Sequence, residues 1–342
     1  MHEKKKITIK DIAKAAEVSE TTVSRFLNAK YEYMSEETKK RIEEVVEELN
    51  YRPSNIARSL KSKRSFLIGA VIADIENPFS NMIIKGLSDQ ADKMGFSMMI
   101  AVSDNTPRNE QEHIQRFVDN GVDALVVNTV GNNDEYLLNL HRSGLPVILL
   151  DRAIEKDELD LVTSNGYELA SEAMDHLHSQ GYAFVGYFTE EMANNSQRQK
   201  RHQAFEDKLD ALGMDGETYV VDIHNLKTLQ GQLEDFEQRE GPKALFAANG
   251  LVLLEVLKGM KELSIADYDE IGICGFDDLA WASLIRDGIT TIRQDSYSIG
   301  QEACRLTVKR VLEEKGRTSR NYVELPGELI VRGSTMRKNN QL

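Results

Sequence analysis

Two cysteines, one tryptophan, seven histidines and six prolines are all that the 342 residues contain of those types. Each scarcity closes off a class of function. Cys274 and Cys304 lie in apolar segments with no second thiol or histidine at metal-ligand spacing. A disulfide framework or a thiolate metal centre is therefore excluded, and buried thiols are expected. His113, His141, His176, His178, His202 and His224 are scattered, with no H-x-x-x-H pair among them. There is no G-x-x-x-x-G-K-[ST] loop, no G-x-S-x-G elbow and no glycine fingerprint after the first apolar strand, so the common enzyme signatures are missing. The best apolar run, Phe66 to Ile75, is about half the ~20 residues that a membrane-crossing helix needs. The start, MHEKKK, leads into no signal-like apolar stretch. A cytoplasmic protein with no catalytic site, cofactor, metal or membrane attachment is expected.

Basic charge is also short overall, but not everywhere. Residues 1–64 carry 15 Lys and Arg against 11 Asp and Glu, and the remainder carries 27 against 45, so a net charge of −14 hides a mildly basic end on an acidic body. That asymmetry suits a small DNA-contacting head on a body that phosphates repel. A head so weakly basic has to bind DNA through specific contacts rather than by charge alone. The length predicts two or three domains, and 41% hydrophobic with 29% charged residues describes a globular chain.

Residues 7–28, ITIKDIAKAAEVSETTVSRFLN, have the pattern of a helix-turn-helix. Ile9, Ile12, Ala13 and Ala16 recur at helical spacing, Val18 falls in the turn, and Val23, Phe26 and Leu27 line a second short helix. Between them, Glu20, Thr21, Thr22, Ser24 and Arg25 offer short hydrogen-bonding groups and a guanidinium, suited to base edges and phosphates. A third helix is predicted after Ser35 as N-cap, with Ile42, Val45, Val46 and Leu49 completing a small core. The next segment, YRPSNIARSLKSKRS (51–65), has room for about two helical turns, too few to be stable alone. Ile56 and Leu60 sit there amid Arg58, Lys61, Lys63 and Arg64. That composition fits a minor-groove wedge among cations or an ordinary basic linker.

From residue 66 short apolar runs alternate with helical segments such as NEQEHIQRFVDNG. Strands are predicted at 66–73, 96–102, 123–128 and 146–150, then at 183–188, 243–248 and 271–277. Continuous apolar strands separated by helices imply parallel, doubly covered sheets, and two similar series imply two α/β lobes with a cleft between them. Ligands in such folds sit beyond the carboxyl ends of the strands. That rule selects Asp74, Phe79, Asn128, Thr129, Asp151, Arg152, Asn249, Asp277 and Asp278. Acidic and amide groups beside an aromatic wall and an arginine suit a polyhydroxylated ligand, although an Asp at a strand end equally caps the next helix.

The stretches IKDIAKAAEVSETTVSRFLN and YRPSNIARSL resemble the DNA-binding head and hinge helix of the lactose/galactose/purine repressor (LacI–GalR) family. The likeness continues through GVDALVV, RHQAF, CGFDD, GITTIRQD and ELIVRGST to the end of the chain. The resemblance implies an all-α helix-turn-helix head (1–52), a hinge helix and linker (53–65), and a periplasmic-binding-protein-like body. Its N-lobe would comprise 66–163 with about 294–322, and its C-lobe 164–293 with about 323–337. It implies DNA contacts from Thr8, Glu20, Thr21, Thr22, Ser24, Arg25 and Asn28, and from Asn55, Ala57, Arg58, Leu60 and Lys61 in the hinge. Glu20, Thr21 and Arg25 would read bases, Thr22 and Ser24 hold phosphates, and Leu60 act as the wedge. Effector contacts are implied for Phe79, Arg152, Asn165, Ser196, Arg201, Asn249, Asp277 and Trp281, and Thr129 joins them as a strand-end candidate. Three positions depart from the family pattern: Glu17 replaces a turn glycine, Ala204 the glycine of R-x-x-G-F, and Gly250 an acid after Asn249. A missing acid beside Arg152 and Arg201 points to a sugar acid such as a ketogluconate as effector, unless Arg152 pairs internally with Asp151 or Asp277. Trp281 either stacks on the ligand or plugs its lobe. The ending MRKNNQL has no Lys/Leu-rich tetramerisation tail, so a homodimer on double-stranded operator DNA is expected.

Overall fold

The computed structural model describes residues 7–27, 30–49, 51, 64–223, 225–265, 271–313 and 319–337. Two compact units result, Met1–Phe66 and Leu67–Leu342. In the first, α1 (Ile9–Ala15), α2 (Glu20–Leu27) and α3 (Glu36–Glu48) enclose Ile12, Ala13, Ala16, Val23, Ile42 and Tyr51. Val18, Leu27, Val45, Val46 and Leu49 pack around that core, as the spacing predicts. Thr8 caps α1 in a capping box with Asp11, and the Ser35 hydroxyl accepts from the Thr38 amide at 3.2 Å to start α3. Glu17 turns the chain between α1 and α2 with φ of 53°. A side chain in that left-handed region costs about 1 kcal/mol relative to glycine. Asn28, Asn55, Ala57, Arg58, Leu60 and Lys61, named above as DNA contacts, lie outside the described residues.

The body opens with β1 (Leu67–Ile72), α4 (Pro78–Lys93), β2 (Ser97–Val102), α5 (Pro107–Asp119), β3 (Ala124–Val127), α6 (Asp134–Arg142) and β4 (Val147–Leu150). It continues through β5 (Asp160–Ser164), α7 (Gly166–Ser179), β6 (Phe184–Thr189), α8 (Ser196–Leu212), β7 (Asp215–Val220), α9 (Leu226–Glu237) and β8 (Lys243–Ala247). Last come α10 (Gly250–Glu262), β9 (Ile271–Phe276), β10 (Thr290–Arg293), α11 (Ser296–Leu312), β11 (Tyr322–Leu325) and β12 (Glu328–Ile330). The first sheet runs β2-β1-β3-β4-β5-β11 and is parallel throughout. The second runs β7-β6-β8-β9-β10-β12 and is parallel except for β12. The two orders are the same, so each lobe is a doubly wound α/β layer built on one plan. Central strands β3, β4 and β9 are buried along their whole length, which is why they read as unbroken apolar runs.

The chain passes between the sheets three times, after β5, after β10 and after β11. The last passage lies at Pro326-Gly327, later than the point near 322 that the sequence reading placed it. Tyr322 to Leu325 pair with β5 as an edge strand of alternating exposure, and such a strand carries no apolar run to reveal it. Glycines bring α4 and α11 into close contact in the first lobe. A Cβ on Gly300 would fall 2.1 Å from the Ile83 carbonyl oxygen, and one on Gly86 would fall 2.1 Å from that of Tyr297. Asp160 fastens the same lobe to its last strand. Its carboxylate accepts from Arg310 Nε at 2.6 Å and Nη2 at 2.7 Å, and from the Asn321 amide at 2.7 Å. Burial pushes this carboxyl up, but those donors outweigh it and hold it below the usual carboxylate range.

Gly300→Ala should force α4 and α11 apart and cost about 1–3 kcal/mol, as overpacking does, measured by urea denaturation of the body. For Asp160 the folded pKa lies below the unfolded one, so its contribution is complete above the unfolded value of about 4 and lost as pH falls through the folded value. Asp160→Asn should therefore lower stability at neutral pH and flatten its decline as pH falls below about 4, followed by thermal unfolding across a pH series.

Candidate functional site

The polar face of α2 is built from its spacing. Val23 points into the core, while Glu20, Thr21 and Arg25 are exposed and Thr22 and Ser24 half-buried beside them. The Ser19 hydroxyl accepts from the Thr22 amide at 3.1 Å and lies 2.9 Å from the Thr22 hydroxyl, fixing the first turn of the helix. Sequence reasoning passed over Ser19, although Ser-x-x-Thr before an apolar residue is a capping signal. Arg25 lies over the Tyr33 ring at 5.1 Å from its centroid, a cation–π contact that holds the guanidinium on the surface. Thr8 is exposed, but its side chain already serves the α1 cap.

In the body, the carboxyl ends of β1, β4, β6, β8 and β9 converge on a cleft. A narrow chamber of about 40 Å³ is lined by Asn77, Phe79, Asp151, Arg152, Asn195, Gln197, Arg198, Arg201, Asn249, Asp277 and Gln294. A wider groove of about 720 Å³ shares Phe79, Asp277 and Gln294 with it. Asp151 after β4 and Asp277 after β9 hold equivalent places in the two lobes. Both adopt left-handed backbone, with φ of 64° and 71°, a conformation that Asp tolerates better than most side chains. Asp277 accepts from the Gly250 amide at 3.0 Å and from Gln294 Nε2 at 2.8 Å. Asn249 caps α10 through Val252, while its Nδ2 donates to Glu190 at 2.7 Å; Glu190 also pairs with Arg198.

Arg152 and Arg201 are not ion-paired among the described residues, so the internal pairing considered for Arg152 does not occur here. Arg201 donates to the Ala248 carbonyl at 2.8 Å and to Gln294 Oε1 at 3.0 Å, and it lies 3.9 Å over the Phe276 ring. Arg152 donates from Nη1 to the Thr129 carbonyl at 3.2 Å. The Nε atoms of both arginines, and Oδ1 of Asp151, are buried without a hydrogen-bond partner. Burial pushes the Arg152 guanidinium below its usual range, an effect that Asp151 opposes. Burial likewise pushes the Asp151 carboxyl up, with Arg201 and Arg152 pulling it back.

Four predicted ligand contacts are engaged elsewhere. Ser196 Oγ accepts from the Ala153 amide at 2.8 Å, a bond between the lobes. Asn165 Oδ1 accepts from the Gly327 amide at 3.0 Å and ties two chain passages together. Thr129 is buried, with its hydroxyl on Glu110 at 3.2 Å. Trp281 packs against the apolar core of the second lobe and lines neither cavity, so the plugging alternative describes its position. Conversely, Gln294 was missed. It follows the last residue of β10, where the strand-end rule would have found it, and its Oε1 also accepts from Ser164 Oγ at 2.5 Å. Neither cysteine is poised for chemistry, because burial pushes both thiols up to about 12. No group of three or more His, Cys, Asp or Glu suited to a metal ion occurs among the described residues. None of their helices is long and apolar enough to cross a membrane.

Comparison with known proteins agrees with this layout. Residues 8–54 match the model described as bacterial regulatory proteins, lacI family, and residues 174–335 match the periplasmic binding protein-like domain. The chain is 37% identical to the HTH-type transcriptional regulator KdgR of Bacillus subtilis, covering 96% of this chain and 97% of that protein. It is 33% identical to the HTH-type transcriptional regulator PtxS of Pseudomonas aeruginosa, covering 96% of each. The fold matches that of the lac repressor dimer bound to operator and the anti-inducer ONPF, with a TM-score of 0.79 at 20% identity over 97% of this chain and all of that one. A complex of the transcriptional regulator CelR with cellobiose matches with a TM-score of 0.70 at 20% identity, covering 96% of this chain and 99% of that one. With relatives this similar over nearly their whole length, the chain belongs to the lacI family of bacterial regulatory proteins, transcriptional regulators that carry a DNA-binding helix-turn-helix and a periplasmic-binding-protein-like body.

Proposed function

We propose that this regulator is a repressor whose hold on operator DNA is set by a sugar acid, such as a ketogluconate, bound between the two lobes. The observation that carries the acid is the pair Arg152 and Arg201, two guanidiniums in one chamber, each with a buried and unpartnered Nε. A neutral sugar would leave the Nε of both arginines without a partner and their charge offset only in part by Asp151, which is unfavourable for a cation in a largely buried site. A carboxylate instead docks on guanidinium N–H groups through charge-assisted hydrogen bonds. Phe79 supplies a flat apolar wall, while Asp151 and Asp277 accept from ligand hydroxyls and Asn249 borders them. Gly250, where an acid is expected, adds no competing negative charge.

The chamber of about 40 Å³ is far smaller than the ~300 Å³ of an ordinary small-molecule site. Entry of the acid then requires the lobes to part at the Ala153–Ser196 contact. The ligand selects that second pose, and a coupling of about 1–3 kcal/mol is enough to alter DNA affinity. In this reading residues 1–52 are the DNA-reading head and 53–65 the hinge. Thr8, Glu20, Thr21, Thr22, Ser24, Arg25 and Asn28 contact the duplex from the head, and Asn55, Ala57, Arg58, Leu60 and Lys61 from the hinge. Two copies read the halves of a pseudo-palindromic operator, since a two-fold dimer imposes two-fold DNA. The site binds its ligand and returns it unchanged.

Isothermal titration with gluconate, 2-ketogluconate and glucose should show binding of an acid and none of the neutral sugar. Arg152→Met should weaken that acid by about ten- to a hundred-fold, the range expected for a hydrogen bond to a charged group. Tight binding of glucose with no response to either acid would sink the sugar-acid reading. In operator titrations, Arg25→Ala should lower affinity by about five- to a hundred-fold and leave ligand affinity unchanged.

A further inference from the structure

Glu110 is the one acid in the first lobe with no exposed surface at all among the described residues. Every group that meets its carboxylate is a donor. The Val130 amide donates to Oε2 at 2.7 Å, and Asn133 Nδ2 and the Thr129 hydroxyl donate to Oε1 at 2.9 and 3.2 Å. The loop after β3 is therefore wrapped around this side chain. Asn133 secures it further by donating to the Pro107 carbonyl at 2.8 Å, and the Gly131 amide donates to Thr129 Oγ1 at 3.2 Å. On its other side the same loop faces the cleft, where the Thr129 carbonyl takes the Arg152 Nη1 donor. No other hydrogen-bond partner of the Arg152 side chain exists among the described residues. Glu110 and Arg152 also attract one another electrostatically.

We infer that Glu110 is a positioning residue for recognition of the ligand's anionic group, acting through the Thr129–Val130 loop on Arg152. The inference rests on the sugar-acid reading above. A buried carboxylate holds the loop, the loop carbonyl orients one guanidinium nitrogen, and the remaining N–H groups of Arg152 are thereby aimed into the chamber. Neutral glutamine cannot replace glutamate here. Its amide NH₂ would face either the Val130 amide or the Asn133 and Thr129 donors, so donor would meet donor and the loop would shift. A displaced Thr129 carbonyl releases Arg152 to other rotamers, and the acid loses its preformed partner.

The test is a double-mutant cycle on the full-length protein, titrated with 2-ketogluconate and gluconate, with thermal shift extending the range to millimolar affinities. Glu110→Gln should weaken acid binding by about ten-fold. In the Arg152→Met background it should add little further loss, because the two changes remove one interaction. Thr129→Val, which removes the hydroxyl bonded to Glu110, should weaken the acid in the same direction, and Thr129→Ser should restore it. These variants carry the test if Glu110→Gln does not fold. Equal losses from Glu110→Gln with Arg152 present and absent would overturn the inference and leave Glu110 a scaffold residue. So would unchanged acid affinity in Glu110→Gln and Thr129→Val. Failure of the parent reading looks different, since the unmodified protein would then bind neither acid.

Discussion

Two guanidiniums lining one chamber, neither with an ion-pair partner among the described residues, set the terms for the body of this protein. Cations in a low-dielectric chamber are costly, and a chain keeps such an arrangement only where something repays it. Here the surroundings repay part. Arg201 lies on the Phe276 ring and donates to a strand-end carbonyl and to Gln294, while Arg152 rests on the Thr129 carbonyl. Asp151 faces both arginines from a strained left-handed turn, its carboxyl pushed up by burial. The chamber thus brings guanidinium donors and carboxylate acceptors together around a small volume, the arrangement on which the proposed sugar-acid reading rests.

That chamber cannot move independently of the chain passages beneath it. Gln294 joins Ser164 on one passage to Arg201 and Asp277 in the second lobe, and Asn165 joins the first passage to the third at Gly327. A rotation of one lobe on the other has to strain or exchange these bonds, so the pose of the lobes and the aim of the ligand-facing groups change together. In the proposed reading this would give population shift a physical route, with discrete hydrogen bonds in place of a diffuse deformation.

The sequence disclosed those parts that carry their own signature. Buried parallel strands such as Ala124–Val127 and Ile271–Phe276 are continuous apolar runs, and the head shows its core at helical spacing. Polar edge strands were invisible. Asp215–Val220 and Tyr322–Leu325 bury only part of one face and acquire their strand character from the neighbour they pair with. In the site, strand-end logic reached Arg152, Asn249 and Asp277 but passed over Gln294, whose strand had not been recognised. Glu110 was beyond reach for a different reason. Within NEQEHIQRFVDNG it reads as a solvent-facing charge, and the donors that bury it come from a loop some twenty residues away. Ser196 and Asn165 occupy ligand-like positions in the sequence, yet in this pose their side chains fasten the lobes and passages.

The placement of the last two strands bears on how the molecule is made. Tyr322–Leu325 edges the first sheet and Glu328–Ile330 the second, so each lobe waits for residues synthesised at the far end of the chain. A ribosome still short of that point holds two sheets with bare edges at β5 and β10, ready templates for unwanted pairing between nascent chains. Completion of both lobes is therefore nearly simultaneous. A break in the chain just before residue 320 would damage the two halves of the body together, although it lies far along the sequence from most of either.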